Sequence, residues 1–374
     1  MLLLNDNEVG HVLTMPLCLE ALEEGYRELG AGRGVIRPRV HSYMATSKEG
    51  VLYKFKSMEG GLESTGVMAL RIASEHNIFR QIYGGIRMDA IPAAPGGKFL
   101  GLILLFSTET TELLAIMPDG YLQSQRVGAT WALAAKYLAK RECKTIGLFG
   151  SGQQAPAFLE AHFLARPTVS RAKVWSPNPD HRRAFADKMS RKLRIEVVAV
   201  DQPREVMKDA DIVMTATNAR LEPLIKGEWA EEGMHASCIS PGQMDDNFFK
   251  KVDLWVAHHR LTSLIAKTST ISKALGGMMG TPPSKTLDYD QVPTLADLLS
   301  GRHPGRTDDR QITYFGGMPR VKEDPSIGED FEGFGSSGTG VQFAAIGYQV
   351  YKKARELGLG REIPTDWFLQ DLHP

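Results

Sequence analysis

The stretch that decides the fold is Thr145-Ile-Gly-Leu-Phe-Gly-Ser-Gly-Gln-Gln-Ala155 (TIGLFGSGQQA, residues 145–155). Its first half is an apolar run of strand type. Its second half fits the pattern G-x-G-x-x-G/A. Alone, that match is weak evidence; directly after a strand and at the opening of a helix, it has the context that dinucleotide binding demands. Gly150 permits the tight turn, Gly152 lets the backbone approach a pyrophosphate, and the small Ala155 allows close packing of helix on strand. The N–H groups and positive dipole end of that helix then face the phosphates. Ser151, Gln153 and Gln154 complete the loop as candidate cofactor contacts.

Working outward, the rhythm around this loop supports it. Strand-like AKVWS (172–176), IEVVAV (195–200), ADIVMTAT (210–217), MHASCIS (234–240) and DLWVAH (253–258) alternate with helix-like segments. Such alternation implies βαβ units and a parallel sheet. On the other side, VGATWALAAKYLAKR (127–141) is rich in Ala and Leu and ends in basic residues, as a helix C-terminus favours. The second strand ends Val174-Trp175-Ser176-Pro177-Asn178, without the acid that usually holds the ribose hydroxyl of NAD. Ser176 and Asn178 can donate to a 2′-phosphate, and Arg182 or Arg183 can reach it from the next helix turn. The cofactor expected is therefore NADP, with NAD possible; the arginines read equally well as solvated helix residues. Thr215, Thr217, Asn218 and Ser240 stand at strand ends that line the ligand crevice of a doubly wound sheet.

The flanks differ in character. Met15, Cys18, Leu19, Leu22, Tyr26 and Leu29 recur at helical spacing behind Thr14, a candidate N-cap. From Arg37 to Phe106, short β-type runs (51–53, 67–70, 102–106) are separated by Gly and Pro clusters, the pattern of a sheet. Residues 265–335 are Gly/Pro-rich, with a short helix expected within 291–300. The chain closes on an amphipathic helix, GVQFAAIGYQVYKKARELGLG.

Composition bounds the function. In 374 residues, 44 basic side chains balance 44 acidic ones, so the chain lacks the basic excess of a nucleic-acid binder or a polybasic membrane protein. With 43% hydrophobic and 24% charged residues, it can bury a core. Three scattered cysteines form neither a disulfide framework nor a CxxC zinc site. No secretory signal is expected, and no apolar stretch is long enough to span a membrane. A cytoplasmic enzyme of two domains is expected. His258-His259 lacks a further ligand at metal spacing and reads as a polar strand end, so no metal site is expected. No nucleophile elbow, H-E-x-x-H or P-loop occurs.

Four stretches together resemble the ornithine cyclodeaminase/mu-crystallin family. They are Gln125-Arg126-Val127-Gly128-Ala129 with ALAAKYLA; TIGLFGSGQQA; ADIVMTATNARLEPLI with Gly233-Met234-His235; and Gly305-Arg306-Thr307-Asp308-Asp309 with QITYF, SSGTGVQ and YKKARELGLG. The resemblance covers nearly the whole chain. It implies an α/β fold: a Rossmann-type doubly wound parallel sheet (residues 127–319) inserted in a discontinuous α+β substrate and dimerisation domain (1–126 and 320–374). It implies a homodimer and a small amino- or imino-acid substrate beside a nicotinamide. Residue by residue, it makes Arg39, Arg71 and Arg126 the candidate carboxylate clamp, Arg71 standing where the family places a lysine that contacts substrate. Arginine suits a fixed, bidentate hold on a carboxylate but is a poor proton donor. Lys56, or Lys54, is the candidate that acts instead. Asp245 or Asp246 is a candidate proton shuttle and equally a candidate cap of the following helix. Phe343 follows Gln342 where the family commonly has an acid, and 317–334 reads as an insertion.

The expected activity is that of an NAD(P)-dependent oxidoreductase acting on the C–N bond of a small amino or imino acid, of imine-reductase or amino-acid-dehydrogenase type. The alternatives are a cyclodeaminase that recycles its bound cofactor and an NADPH-loaded binding protein without turnover.

Overall fold

The computed structural model describes residues 1–37, 39–82, 85–217, 223–239, 241–259, 292–317 and 338–371. Two compact units form. Met1–Ile78, Ala90–Arg126 and Gly338–Pro374 make the first; Phe79–Asp89 and Val127–Ser337 make the second.

The first unit opens with β1 (Leu2–Leu3), α1 (Asp6–Val12) and α2 (Met15–Gly30). Thr14 caps α2, its Oγ1 accepting from Leu17 N at 3.4 Å. Asn5 and Glu8 form a reciprocal capping box at the start of α1. There follow β2 (Gly34–Ile36), β3 (Val40–Ala45), β4 (Val51–Leu62), β5 (Val67–Ile82), β6 (Gly85–Ile91), β7 (Leu100–Ser107) and β8 (Leu113–Pro118); the end of β5 and most of β6, within Phe79–Asp89, belong to the second unit. The short runs seen in the sequence are thus pieces of longer strands. Their polar interruptions, such as Lys54, Lys56 and Glu75, still alternate in register. With β16 (Arg361–Glu362), the strands order as β16-β1-β8-β7-β5-β4-β2, β3 pairing with β4 and β6 with β5.

Register sorts the faces. Lys54, Lys56, Met58, Gly60 and Leu62 stand opposite Glu75, Ala73, Arg71, Ala69 and Val67; Ile103 and Leu105 of β7 stand opposite Arg71 and Ala69. Directly opposed residues share a face, so these positions form one inner surface. At one end it is apolar: Met58, Leu62, Val67, Ala69, Ile103, Leu105 and Met117 are buried. Each large side chain so buried contributes about 1.5–3 kcal/mol. The C-terminal helix Gly340–Glu356 packs there on β4 and α2. The crossing is close because it is built on glycine. A Cβ on Gly60 would strike the backbone of Gly340 and Val341, and one on Gly340 would strike that of Glu59.

The second unit carries a sheet in which every paired neighbour is parallel, ordered β11-β10-β9-β12-β13-β15-β14. Its strands are β9 (Thr145–Phe149), β10 (Arg171–Trp175), β11 (Glu196–Ala199), β12 (Ile212–Thr215), β13 (His235–Cys238), β14 (Leu254–Val256) and β15 (Thr313–Phe315). Helix α4 (Ala155–Ala165) follows β9, and α5 (Pro179–Leu193) follows β10. The strand order reverses between β9 and β12, the switch point of a doubly wound fold. The Gly/Pro-rich stretch 265–335 supplies β15, which inserts between β13 and β14, and the expected short helix, Leu295–Leu299.

The helix expected from residue 127 begins at Gly120 as α3 (Gly120–Leu138). Its first turn is capped from outside the local sequence: Asp6 Oδ1 accepts from Tyr121 N at 3.0 Å. This places Gln123 and Arg126 on the helix.

Replacing Gly60 by Val is expected to destabilise the protein by about 3 kcal/mol, because backbone rather than a flexible side chain occupies the space. Urea unfolding of the Gly60→Val variant beside the parent measures this.

Candidate functional site: a cationic sheet face and a dinucleotide loop

On the first unit, the inner sheet face changes from apolar to charged beyond Met58 and Ile103. Arg71 is nearly fully buried. Its Nε donates to Asp119 Oδ2 at 2.6 Å, and its Nη2 lies 2.5 Å from the same oxygen. The carboxylate fits because of Gly101, where a Cβ would collide with it. Asp119 thus holds one edge of the guanidinium in place, a charge-assisted contact of the strong kind.

Arg126, on α3, is held by amide oxygens. Its Nε and Nη2 donate to Gln123 Oε1 at 3.3 and 2.9 Å, and its Nη1 to Gln342 Oε1 at 3.1 Å. Gln342 Oε1 also accepts from Thr339 N at 3.0 Å at the start of the C-terminal helix. The positive end of that helix dipole therefore lies beside Arg126. Phe343 is shared by both arginines: the guanidinium carbons of Arg71 and Arg126 lie 5.8 and 5.3 Å from its ring centroid. These are cation–π contacts, which hold a cation without neutralising it.

Burial pushes the Arg126 pKa down to about 9, aided by the guanidiniums of Arg71 and Arg39. Arg39, partly buried just before β3, is pushed down to about 10 by burial and by Arg71. Guanidinium keeps its charge at neutral pH even so. Three guanidiniums near enough to repel one another gain when an anion enters among them.

Beside them stands a carboxylate between two ammonium groups. Glu75 Oε1 lies 2.8 Å from Lys56 Nζ, and its Oε2 lies 3.4 Å from Lys54 Nζ. Burial works against the Glu75 charge, but Lys56, Lys54 and Arg71 outweigh it and hold the carboxyl below its usual range. Burial pushes the Lys56 pKa down to about 8; Lys54 and Arg71 add to this, and Glu75 opposes it.

On the second unit, the loop after β9 has the geometry its sequence requires. Gly150 has φ 110°, and a Cβ there would meet Ala216 O at 2.6 Å, at the switch point between β9 and β12. Around Gly152 the space is open: a Cβ built there meets nothing within 4 Å. Among the described residues, no acceptor faces the amides of Ser151, Gly152 and Gln153. A loop of unengaged N–H groups with open space above its second glycine fits a pyrophosphate. Ser151 Oγ lies 2.8 Å from Ser176 Oγ, joining this loop to the end of β10.

A family model described as the ornithine cyclodeaminase/mu-crystallin family matches residues 1–324. The chain belongs to this family. Alanine dehydrogenase of Archaeoglobus fulgidus is 27% identical over 373 residues, covering 97% of this chain and 98% of the relative. Among solved structures, Thermococcus litoralis Delta(1)-pyrroline-2-carboxylate reductase, in complex with NADH and L-proline, has a TM-score of 0.71 at 24% identity, covering 97% of this chain and all of that one. An archaeal alanine dehydrogenase dimer with bound NAD has a TM-score of 0.72 at 23% identity, covering 97% and 99%. These two likenesses show the fold.

Within this family member, several expected contacts are engaged elsewhere. Asp245 caps the short helix Asp246–Phe249: its Oδ1 accepts from Phe248 N at 2.7 Å and from Gly227 N at 2.9 Å. The capping alternative is realised: the carboxylate serves two backbone donors. Thr215 is fully buried, its hydroxyl turned to Gln243 and accepting from Ile239 N, so it does not face the crevice. Arg182 is buried beneath the β10 end: Nη1 donates to Ser176 O at 3.0 Å and Nη2 meets Asp201 at 2.5 Å. It secures the loop instead of projecting as a solvated cation. Asn178 Oδ1 caps α5 by accepting from His181 N at 3.0 Å. Arg183 remains exposed, 3.7 Å from Asp180. Thr217 lies at the end of β12, its carbonyl accepting from Gln243 Nε2 at 2.7 Å. Asn218, Ser240 and residues 318–334 lie outside the described residues. His258 and His259 are buried in an aromatic cluster with Trp131 and Phe315, not at a polar strand end. No group of three metal-binding side chains occurs among the described residues.

Sequence reasoning passed over Asp119, Glu75, Gln123 and Gly101. Asp119-Gly120 reads locally as a turn, and Glu75 as an ordinary strand polar residue; their partners lie 48 residues away (Arg71) or on the neighbouring strand. Removing Asp119 leaves the buried Arg71 charge without its carboxylate. Asp119→Ala is expected to lose about 3 kcal/mol of stability, measured by chemical denaturation. Unchanged stability in that variant would remove Asp119 as the partner that matters.

Proposed function

We propose that this protein is an NAD(P)-dependent oxidoreductase acting on the C–N bond of a small amino or imino acid. The observation that carries the reading is the cationic sheet face: Arg71 and Arg126 meet over a neutral ring, Phe343, with the Arg39 guanidinium near enough to repel both. An amino or imino acid presents one carboxylate to hold and one nitrogen to protonate or deprotonate. The arginines bind the carboxylate, Arg71 with its geometry fixed by Asp119 and Arg126 by the two glutamines. Lys56 is the proton donor, because an ammonium titrating near pH 8 can give up its proton at working pH and an arginine cannot. Gly150, Ser151, Gly152, Gln153 and Gln154 hold the dinucleotide phosphates. A nicotinamide dinucleotide, when bound, supplies the hydride chemistry that the side chains lack.

The dinucleotide is NADP or NAD. NADP is favoured by the end of β10, where Ser176-Pro177-Asn178 offers no carboxylate against a 2′-phosphate and Arg183 is exposed. NAD is favoured by the solved relatives, which hold NAD or NADH. The three cysteines, all buried and unpaired, fit a reducing compartment such as the cytoplasm. Among the described residues, no helix is long and apolar enough to cross a membrane.

The outer face of the first unit's sheet supports a homodimer. By register it carries Phe55, Ile72, Leu102 and Leu104, half-buried, and Met44 and Leu100, exposed. Exposed apolar surface of this kind marks an interaction site, and the archaeal alanine dehydrogenase is a dimer. Light scattering should give twice the 41.2 kDa chain mass, and Leu104→Arg should return the monomer. A monomeric parent would end the dimer reading.

The activity is tested with NADPH and NADH against cyclic imines, pyruvate with amines, and amino acids, following nicotinamide absorbance. Oxidation or reduction on at least one substrate is expected. Arg183→Ala should raise the KM for NADPH about tenfold and leave that for NADH unchanged. Ammonia release with no net change in NADH would instead mark a cyclodeaminase, and tight cofactor binding without turnover a binding protein; either result overturns the proposal.

A further inference from the structure

A lysine that donates a proton among other cations needs a partner that keeps it protonated. Lys54 and Lys56 lie two residues apart on one strand and project to one face, where Arg71 also stands. Three cations on one partly buried patch repel each other, and a lysine is the one able to lose its charge. The sheet register answers this repulsion. Glu75 stands opposite Lys54, and Ala73 opposite Lys56. Because Ala73 is small, the Lys56 chain is free to cross diagonally to Glu75, which it meets at 2.8 Å. One carboxylate oxygen therefore serves Lys56 and the other serves Lys54.

We propose that Glu75 is the positioning residue of the proton donor, holding Lys56 charged and aimed along the face that carries Arg71. This rests on the reading of Lys56 given above. In the reductive direction the Lys56 ammonium gives its proton to the substrate nitrogen and becomes a neutral amine, while Glu75 stays ionised throughout. Water then restores the proton.

Among the described residues, the other ionisable groups around Lys56 come from its own strand and the neighbouring elements. Lys54 lies on its own strand, and Arg71 and Glu75 lie on β5. On β3, His41 occupies the register position opposite Lys56 and Tyr43 that opposite Lys54, with Arg39 just before. The C-terminal helix buries no ionisable side chain, and α2 buries Cys18, Tyr26 and Glu28, the last paired with Arg33. Among the described residues, Glu75 is the acid that contacts Lys56.

The test is competitive acetylation of the full chain with acetic anhydride across pH, with the Lys56 peptide read by mass spectrometry. In the parent the midpoint should lie near 8. Glu75→Gln should lower it by about one pH unit, the effect of removing an opposite charge at this range. Lys54→Met should raise it, since a like charge is removed and Glu75 keeps one partner. The pH at which kcat/KM falls on the alkaline side should move in the same directions. Two results would overturn the proposal: a Lys56 midpoint unmoved in Glu75→Gln, or a moved midpoint with an unmoved alkaline limb. A parent inactive on every substrate would strike the functional reading instead, and the labelling would still decide whether Glu75 holds the charge on Lys56.

Discussion

The close crossing of the C-terminal helix over β4 is the constraint from which the first unit follows. Gly60 and Gly340 let two backbones meet where any Cβ would separate them. The crossing brings the last part of the chain onto a sheet made by its first third. It sets Phe343 against the guanidiniums of Arg71 and Arg126, and it places Gln342 and the positive end of the helix beside Arg126. A bulkier residue at either glycine would lift the helix and spread the arginines. The packing that stabilises the unit and the electrostatics of the site are therefore one arrangement.

That arrangement concentrates charge in a molecule with none to spare overall. The balance of 44 basic and 44 acidic residues conceals a local excess of cations, maintained by the choice of partners. Gln123 and Gln342 orient Arg126 through neutral oxygens, Phe343 touches two arginines without an opposing charge, and Asp119 covers only one edge of Arg71. Contacts of this neutral kind orient a guanidinium without cancelling its charge. On the same face, Glu75 stands between two lysines, one carboxylate oxygen toward each.

The second unit was largely legible from residues 145–155 and the βαβ rhythm after them, because a parallel strand, its turn and its helix are local in sequence. The strand order at β9 and β12, with Gly150 against Ala216, follows from that local pattern. Single side chains were less legible. Thr215 turns into the protein toward Gln243, and Arg182 folds beneath Ser176, because each finds a buried partner that no spacing rule reveals. Asp245 was readable both as a shuttle and as a cap, and its two backbone donors decide for the cap. The start of α3 moved to Gly120 for a similar reason: its capping carboxylate comes from Asp6, far away in the chain.

The amino-acid sequence by itself determined the α/β class, the glycine loop after β9 and the family, since each is written in residue type and short-range spacing; the three arginines came as candidates from the family resemblance. Only the tertiary structure decided which charges meet. Arg71 and Asp119 are 48 residues apart, Arg126 and Gln342 are 216 apart, and Glu75 finds Lys54 and Lys56 across a strand register. Hydrogen bonds and ion pairs act over a few ångströms, and the partners at that range are set by strand register and helix crossing, which pattern alone does not specify.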